Sequence, residues 1–218
     1  MFYIGIDFSV NFGSICISKD FKEFRWISVI NGNLTQKFRR VIDSFNDPTL
    51  EVIDIFSKES KTDHYHLTER NKLNNQLDVV SKLVARLKEY VKDDPCIIGI
   101  EGYSYGSAGN SLIDIAQATG ILKNHLFREI VRGNLETMFV FSPSELKKAI
   151  GEKGNCGKVE IFNKFISDPI IPEVRNSSLY KFISENKDDI FNGKEVKSPI
   201  MDMVDSFLPI VKFKSIMT

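Results

Sequence analysis

Cysteine, histidine and tryptophan are all scarce in this chain, and what is missing narrows the chemistry first. The three cysteines, Cys16, Cys96 and Cys156, are scattered without a Cys-x-x-Cys pair. That spacing argues against a disulfide framework or a zinc ribbon and favours a reducing compartment. Of the three histidines only His64 and His66 are close, in "HYH", far in sequence from every acid discussed below. A surface or packing role is expected for them and for His125. No run of about 18 apolar residues occurs, and the first ten residues lack a basic stretch leading into a long apolar one. A soluble, cytoplasmic protein is the expectation. Excess charge is also missing, because 29 Lys and Arg balance 29 Asp and Glu. Any nucleic-acid binding must therefore come from local clusters of cations, and overall neutrality argues mildly against such a partner. Internal repeats and low-complexity segments are absent.

What is present suits a folded domain. A chain of 218 residues, 42% hydrophobic, has material for one globular domain with a sizeable core, with room for an insertion but not comfortably for a second domain. Apolar stretches at 3–8, 14–18 and 24–29 are separated by "SVNFG" and "KDFKE", the pattern of an antiparallel three-strand meander. A further strand fits at 51–56. Leu73, Leu77, Val80, Val84, Leu87 and Val91 recur at helical spacing and predict a long helix over 68–92, stopped by Asp93, Asp94 and Pro95. "CIIGIE" at 96–101 is a short continuous apolar run of the kind buried on both faces of a sheet. The loop "GYSYGSAG" then leads to a helix over about 110–132 and a strand in "TMFVF". In "SPSELKKAIG", Ser142 is a cap, Pro143 opens the first turn, Glu145 completes a capping box and Gly151 ends the helix. Another helix is predicted from Lys158 and a weaker one over 178–190. The last spans about 199–211, with Ser198 and Pro199 at its start and Pro209 shortening or kinking its end.

Two apolar strands end in an acid, Asp7 in "YIGID" and Glu101 in "IIGIE". A carboxylate at the end of a buried strand costs several kcal/mol unless a cation pairs with it. Near the end, "DMVD" places Asp202 and Asp205 three residues apart, on one face of a helix. Each acid alone has an ordinary explanation: a strand terminus, a solvated helix face, or a partner of the helix dipole. Together, in the order strand, strand, helix pair, they form an oxygen donor set suited to hard divalent ions. Two-metal phosphoryl-transfer sites hold such ions roughly 3.5–4 Å apart on carboxylates.

The order and surroundings of these acids resemble the RuvC-type Holliday junction resolvases of the ribonuclease H-like superfamily. The resemblance rests on "YIGIDFS", "IIGIEGYSYGSAGNSLIDIAQATGIL", "VFSPSELKKAIGEKGNCGKVEIF" and "DMVDSF", and it spans most of the chain. It implies a ribonuclease H-like α/β fold in which the meander is continued by parallel strands and flanked by helices, with Asp7 and Glu101 on adjacent central strands. It implies that Asp7, Glu101, Asp202 and Asp205 bind two Mg²⁺ ions, with Mn²⁺ as a substitute, and that Lys147 and Lys158 match the family's two lysines. "QATG" at 117–120 resembles a helix motif of the family. Phe8-Ser9 replaces the small turn that usually follows the first Asp, and this is closer to phage-encoded relatives. Segments 43–70 and 167–197 look longer than in compact bacterial members and read as insertions.

The lysines and aromatics have ordinary readings as well. "ELKK" is a common solvated surface pattern, but Lys147 and Lys158 gain from their spacing, and a lysine beside a phosphate can stabilise developing charge. Lys148 and Lys153 do not share that match. Tyr103 and Tyr105, directly after Glu101, could stack on distorted bases of DNA or simply belong to a flexible turn. Trp26 reads as core.

The expected activity is metal-dependent, structure-selective hydrolysis of DNA at four-way junctions, leaving 5′-phosphate ends. The expected assembly is a homodimer, because a junction must be cut on two strands. The predicted helix over 68–92 is the expected dimer or DNA-facing surface. A debranching nuclease for replication or genome packaging would use the same acids. A non-catalytic junction binder would be expected to have lost some of them. A sugar-kinase or actin-like ATPase also opens on "GID", but it needs a phosphate loop that "FSVNFGS" does not supply and a second domain that the length does not allow.

Overall fold

A computed structural model of the chain describes residues 1–45, 47–55, 64–102 and 110–217. The meander is present as β1 (Phe2–Asp7), β2 (Ser14–Lys19) and β3 (Glu23–Ile30). After α1 (Gln36–Asp43), capped by the Thr35 hydroxyl, comes β4 (Leu50–Asp54). α2 (Tyr65–Val91) leads to β5 (Cys96–Glu101), then α3 (Asn110–His125) and β6 (Met138–Phe141). The helices α4 (Pro143–Ala149), α5 (Lys158–Ser167), α6 (Ser178–Glu185), α7 (Lys187–Ile190) and α8 (Ile200–Met217) complete it. The strands form one sheet in the order β4-β3-β2-β1-β5-β6. β1, β2 and β3 pair antiparallel, while β4 joins β3, β5 joins β1 and β6 joins β5 in parallel. This is the mixed sheet flanked by helices, an antiparallel meander continued by parallel strands, that the sequence led us to expect.

Alternation along each strand sorts side chains between two apolar layers. Ile4, Ile6, Ile15, Ile17, Ile27, Val29, Ile98 and Ile100 face α2 and α3. Tyr3, Cys16, Phe24 and Trp26 face the opposite way, into a layer shared with α8 and with buried residues of α4, α5 and α6. Residues 167–197 belong to that second layer through Ile171, Val174, Leu179, Ile183, Ile190 and Val196, all buried. No helix among the described residues is long and apolar enough to cross a membrane.

Several boundaries differ from expectation. α2 begins three residues early, at Tyr65. The helix expected over 110–132 gives way at His125 to a π-helical turn, Leu126–Ile130. The expected 178–190 helix is divided at Asn186 into α6 and α7. Pro209 does not end the last helix, which continues to Met217. An interior proline costs about 3 kcal/mol. Burying a large apolar side chain yields about 1.5–3 kcal/mol, and Ile210, Val211 and Phe213 beyond it are all buried. Packing of those three outweighs the lost backbone bond.

A candidate metal centre at the ends of two strands

β1 and β5 run parallel with Gly5 opposite Gly99 and Ile6 opposite Ile100. The register therefore brings Asp7 level with Glu101 on neighbouring central strands. Both acids share the face of Gly5 and Gly99, because side chains two apart point the same way. That face carries α8. A Cβ on Gly5 would run into the backbone oxygen of Ser206, and one on Gly99 would lie 2.8 Å from Pro209 Cβ and 2.9 Å from the Phe141 ring. The two glycines let the helix backbone come down onto the strands, at the level where Asp202 and Asp205 project from it.

Asp202 and Asp205 are 8% and 6% exposed, while Asp7 and Glu101 are half-buried. Burial pushes all four carboxyls above their ordinary pKa values, and repulsion from neighbouring carboxylates adds to it at Asp7, Glu101 and Asp205. Asp7 is raised well above its usual range by burial and then by Asp205, Glu101 and Asp202. Glu101 is pushed up to about 7 by burial and by Asp205. Burial also raises Asp205, to about 6, although Lys158 acts in the opposite direction. Asp202 is raised by burial in spite of a hydrogen bond with the Ser198 side chain. Ser198 thus contacts an acid of the helix as well as standing at its start.

Lys158, the first residue of α5, forms an ion pair with this group. Its Nζ lies 3.4 Å from Asp205 Oδ2, and its side chain is 61% exposed. Burial works against its charge, yet Asp205, Asp202 and Asp7 outweigh that effect and raise its pKa. Lys147 donates from Nζ to the carbonyl of Cys156 at 2.6 Å. Its charge lowers the pKa of both Glu101 and Asp205. The loop "GEKGNC" is in this way drawn over the C-terminal end of α4. Lys153 stays exposed.

The donor set fits a hard divalent cation: four carboxylates, no soft ligand, and a buried Asp202 Oδ2 without a hydrogen-bond partner. The fit is one of chemistry and of shared location. Among the described residues no three His, Cys, Asp or Glu side chains are gathered tightly enough to cage an ion. A cavity of about 390 Å³ beside β4 is lined by Arg39, Glu51, Asp54 and Arg86, with each arginine paired to a carboxylate, and none of the four acids lines it.

No family model and no curated protein matches the chain. Solved structures do. Thermus thermophilus RuvC is 14% identical with a TM-score of 0.46, covering 100% of this chain and 98% of that one. T. thermophilus RuvC in complex with Holliday junction substrate is 13% identical with a TM-score of 0.47, over 100% and 97%. The yeast mitochondrial Holliday junction resolvase Ydc2 is 14% identical with a TM-score of 0.36, over 96% and 75%. Similarity at this level carries no conclusion about chemistry, which rests on the carboxylates themselves.

Asp7, Glu101, Asp202, Asp205, Lys158 and Lys147 therefore fall in one neighbourhood. Tyr103 and Tyr105 lie outside the described residues. The histidines have other partners: His125 pairs with Glu129 at 2.7 Å, and His64 and His66 stack on each other. Sequence reasoning passed over Gly5 and Gly99, although the repeated Ile-Gly-Ile-acid pattern marks both. It also read Trp26 as core alone. Trp26 is fully buried, but its Nε1 donates to the Met203 carbonyl at 3.0 Å, between the two acids of α8.

Proposed function

We propose that this chain is a metal-dependent, structure-selective DNA endonuclease that cuts four-way junctions by hydrolysis of phosphodiesters on two opposed strands, leaving 5′-phosphates. One observation carries the reading: two strand acids in register face two helix acids, with a lysine among them. Asp7, Glu101, Asp202 and Asp205 are the residues that would hold divalent cations, with Mg²⁺ expected and Mn²⁺ as a substitute. Bound there, the cations would supply an activated water and neutralise charge building on the scissile phosphate.

The remaining chemistry belongs to the chain. Lys158 is exposed enough to reach a phosphate oxygen while anchored beside Asp205, a suitable place to stabilise a leaving 3′-oxygen. Lys147, held by the Cys156 carbonyl, presents a second positive charge along the same rim. A homodimer would provide the paired sites that a junction requires. Leu73 and Leu77, one turn apart and partly exposed on α2, support that helix as the meeting surface.

The direct test incubates the protein with four-way, three-way, flap and linear duplex DNA in Mg²⁺ and maps the nicks. Symmetric nicks on opposed strands of the four-way junction support resolution. Equal cutting of every branched form would favour a debranching nuclease, and binding without nicks a non-catalytic junction binder.

A further inference from the structure

Asp202 and Asp205 can act together only if α8 is fixed in rotation and height against the strands bearing Asp7 and Glu101. The carbonyl of Met203, one residue after Asp202, is where that orientation is set. It accepts from Trp26 Nε1 at 3.0 Å and from Ser206 Oγ at 2.7 Å, and both donors are fully buried. Trp26 belongs to β3, so its bond ties the acid-bearing turn of α8 to a strand two places from β1. Ser206 belongs to the helix itself, and its backbone oxygen meets the bare Cα of Gly5.

An apolar ring of similar size would fill the Trp26 position as well, if packing were the only requirement. The indole N–H adds direction. It reaches one particular carbonyl in a helix whose buried side chains against the sheet nearby, Phe207 beside Phe24 and Ile210 beside Gly5, are apolar and could slide. Ser206 Oγ at the same acceptor bonds within α8 and holds the local geometry of the turn between the two acids, while the Trp26 bond is the one that reaches out of the helix. Loss of a group outside the ligand shell that orients ligating side chains commonly weakens metal binding by about 10–100-fold.

Building on the metal-site reading above, we propose that Trp26 and Ser206 are positioning residues: through the Met203 carbonyl they fix Asp202 and Asp205 in the orientation that binds divalent cations. Neither residue touches the cation or the substrate. Their loss should therefore weaken metal binding more than their effect on folding accounts for.

The test measures Mn²⁺ and Mg²⁺ binding to the full chain by calorimetry, with denaturant midpoints recorded in parallel. The variants are Trp26→Phe, which keeps an aromatic ring and removes the N–H, Ser206→Ala, and Leu122→Ala as a control. Leu122 is fully buried in the layer on the far side of the sheet, so its truncation lowers stability without touching α8. Trp26→Phe and Ser206→Ala are each expected to bind about tenfold more weakly than the wild type, while Leu122→Ala binds with wild-type affinity. Should Trp26→Phe not fold, Ser206→Ala alone decides. Wild-type affinity in the two positioning variants, or an equal loss in Leu122→Ala, would overturn the inference while leaving the metal site intact. Absence of divalent binding by the wild type would overturn the metal-site reading and this inference together.

Discussion

Gly5 and Gly99 are register partners on neighbouring parallel strands, and each stands two residues before an acid. The absence of two Cβ atoms at one level of the sheet is what lets Ser206 and Pro209 of α8 rest on the strands. The closeness of helix and sheet at that level brings all four carboxylates into one electrostatic group.

Alanine at these glycines is expected to lift α8. Gly5→Ala drives a methyl group into helix backbone, which cannot rotate away, so it should cost at least the 1–3 kcal/mol typical of overpacking. Gly99→Ala meets Pro209 and two phenylalanine rings at 2.8–3.0 Å and should cost a similar amount. Denaturant unfolding measures this, and a wild-type midpoint in Gly5→Ala would contradict the close approach.

The raised acids give stability a pH dependence of known sign. A carboxyl whose pKa is higher in the folded chain binds more protons there, so its ionisation opposes folding. That penalty is absent below the ordinary values of 3.8 and 4.5 and complete above the shifted values of about 6 for Asp205 and about 7 for Glu101. In EDTA, Asp205→Asn should therefore gain stability relative to the wild type as pH rises from about 4 to 7, by something on the order of 2 kcal/mol. Divalent cations should narrow the gap by stabilising the wild type. A stability difference flat across that range would count against the burial of Asp205 and its crowding by Asp202.

Junction affinity should fall steeply with salt, because each neutralised phosphate releases counterions. Replacing Lys147 and Lys158 together by alanine should lower the slope of log affinity against log salt by about 0.9 for each phosphate that is no longer neutralised. Equal slopes for the wild type and the double variant would place the DNA surface elsewhere.

Two-fold pairing of sites can be checked with mixed assemblies. Heterodimers of wild type and Asp7→Asn should nick a supercoiled cruciform once without linearising it, since one competent site remains. Linearisation at the wild-type rate would mean that the sites do not work as a pair.

Much of this was legible in the sequence, for identifiable reasons. The apolar stretches at 3–8, 14–18 and 24–29, separated by turn segments, and the continuous apolar run at 96–101 name the strands, and Ser142 and Glu145 form the expected capping box with Pro143 in the first turn. Asp7 and Glu101 stood out because a carboxylate ending a buried strand is costly unless it is paired, and Asp202 and Asp205 because three-residue spacing puts them on one face of a helix. What local pattern could not reveal is how α8 sits against the sheet. The approach of Ser206 to Gly5, the bond from Trp26 to the Met203 carbonyl and the passage of the helix through Pro209 join residues far apart in the chain, and packing decides them.

One measurement bears most directly on the four acids. A synthetic four-way junction is incubated in Mg²⁺ with the wild type and with Asp7→Asn, Glu101→Gln, Asp202→Asn and Asp205→Asn, and junction binding is followed in parallel in Ca²⁺. The wild type should cut two opposed strands to give ligatable ends, and each variant should bind with near wild-type affinity while its cutting is abolished or falls by several orders of magnitude. Wild-type cutting by Asp7→Asn or Glu101→Gln, or a wild type that binds the junction and leaves it whole, would contradict the assignment of these carboxylates to the metal.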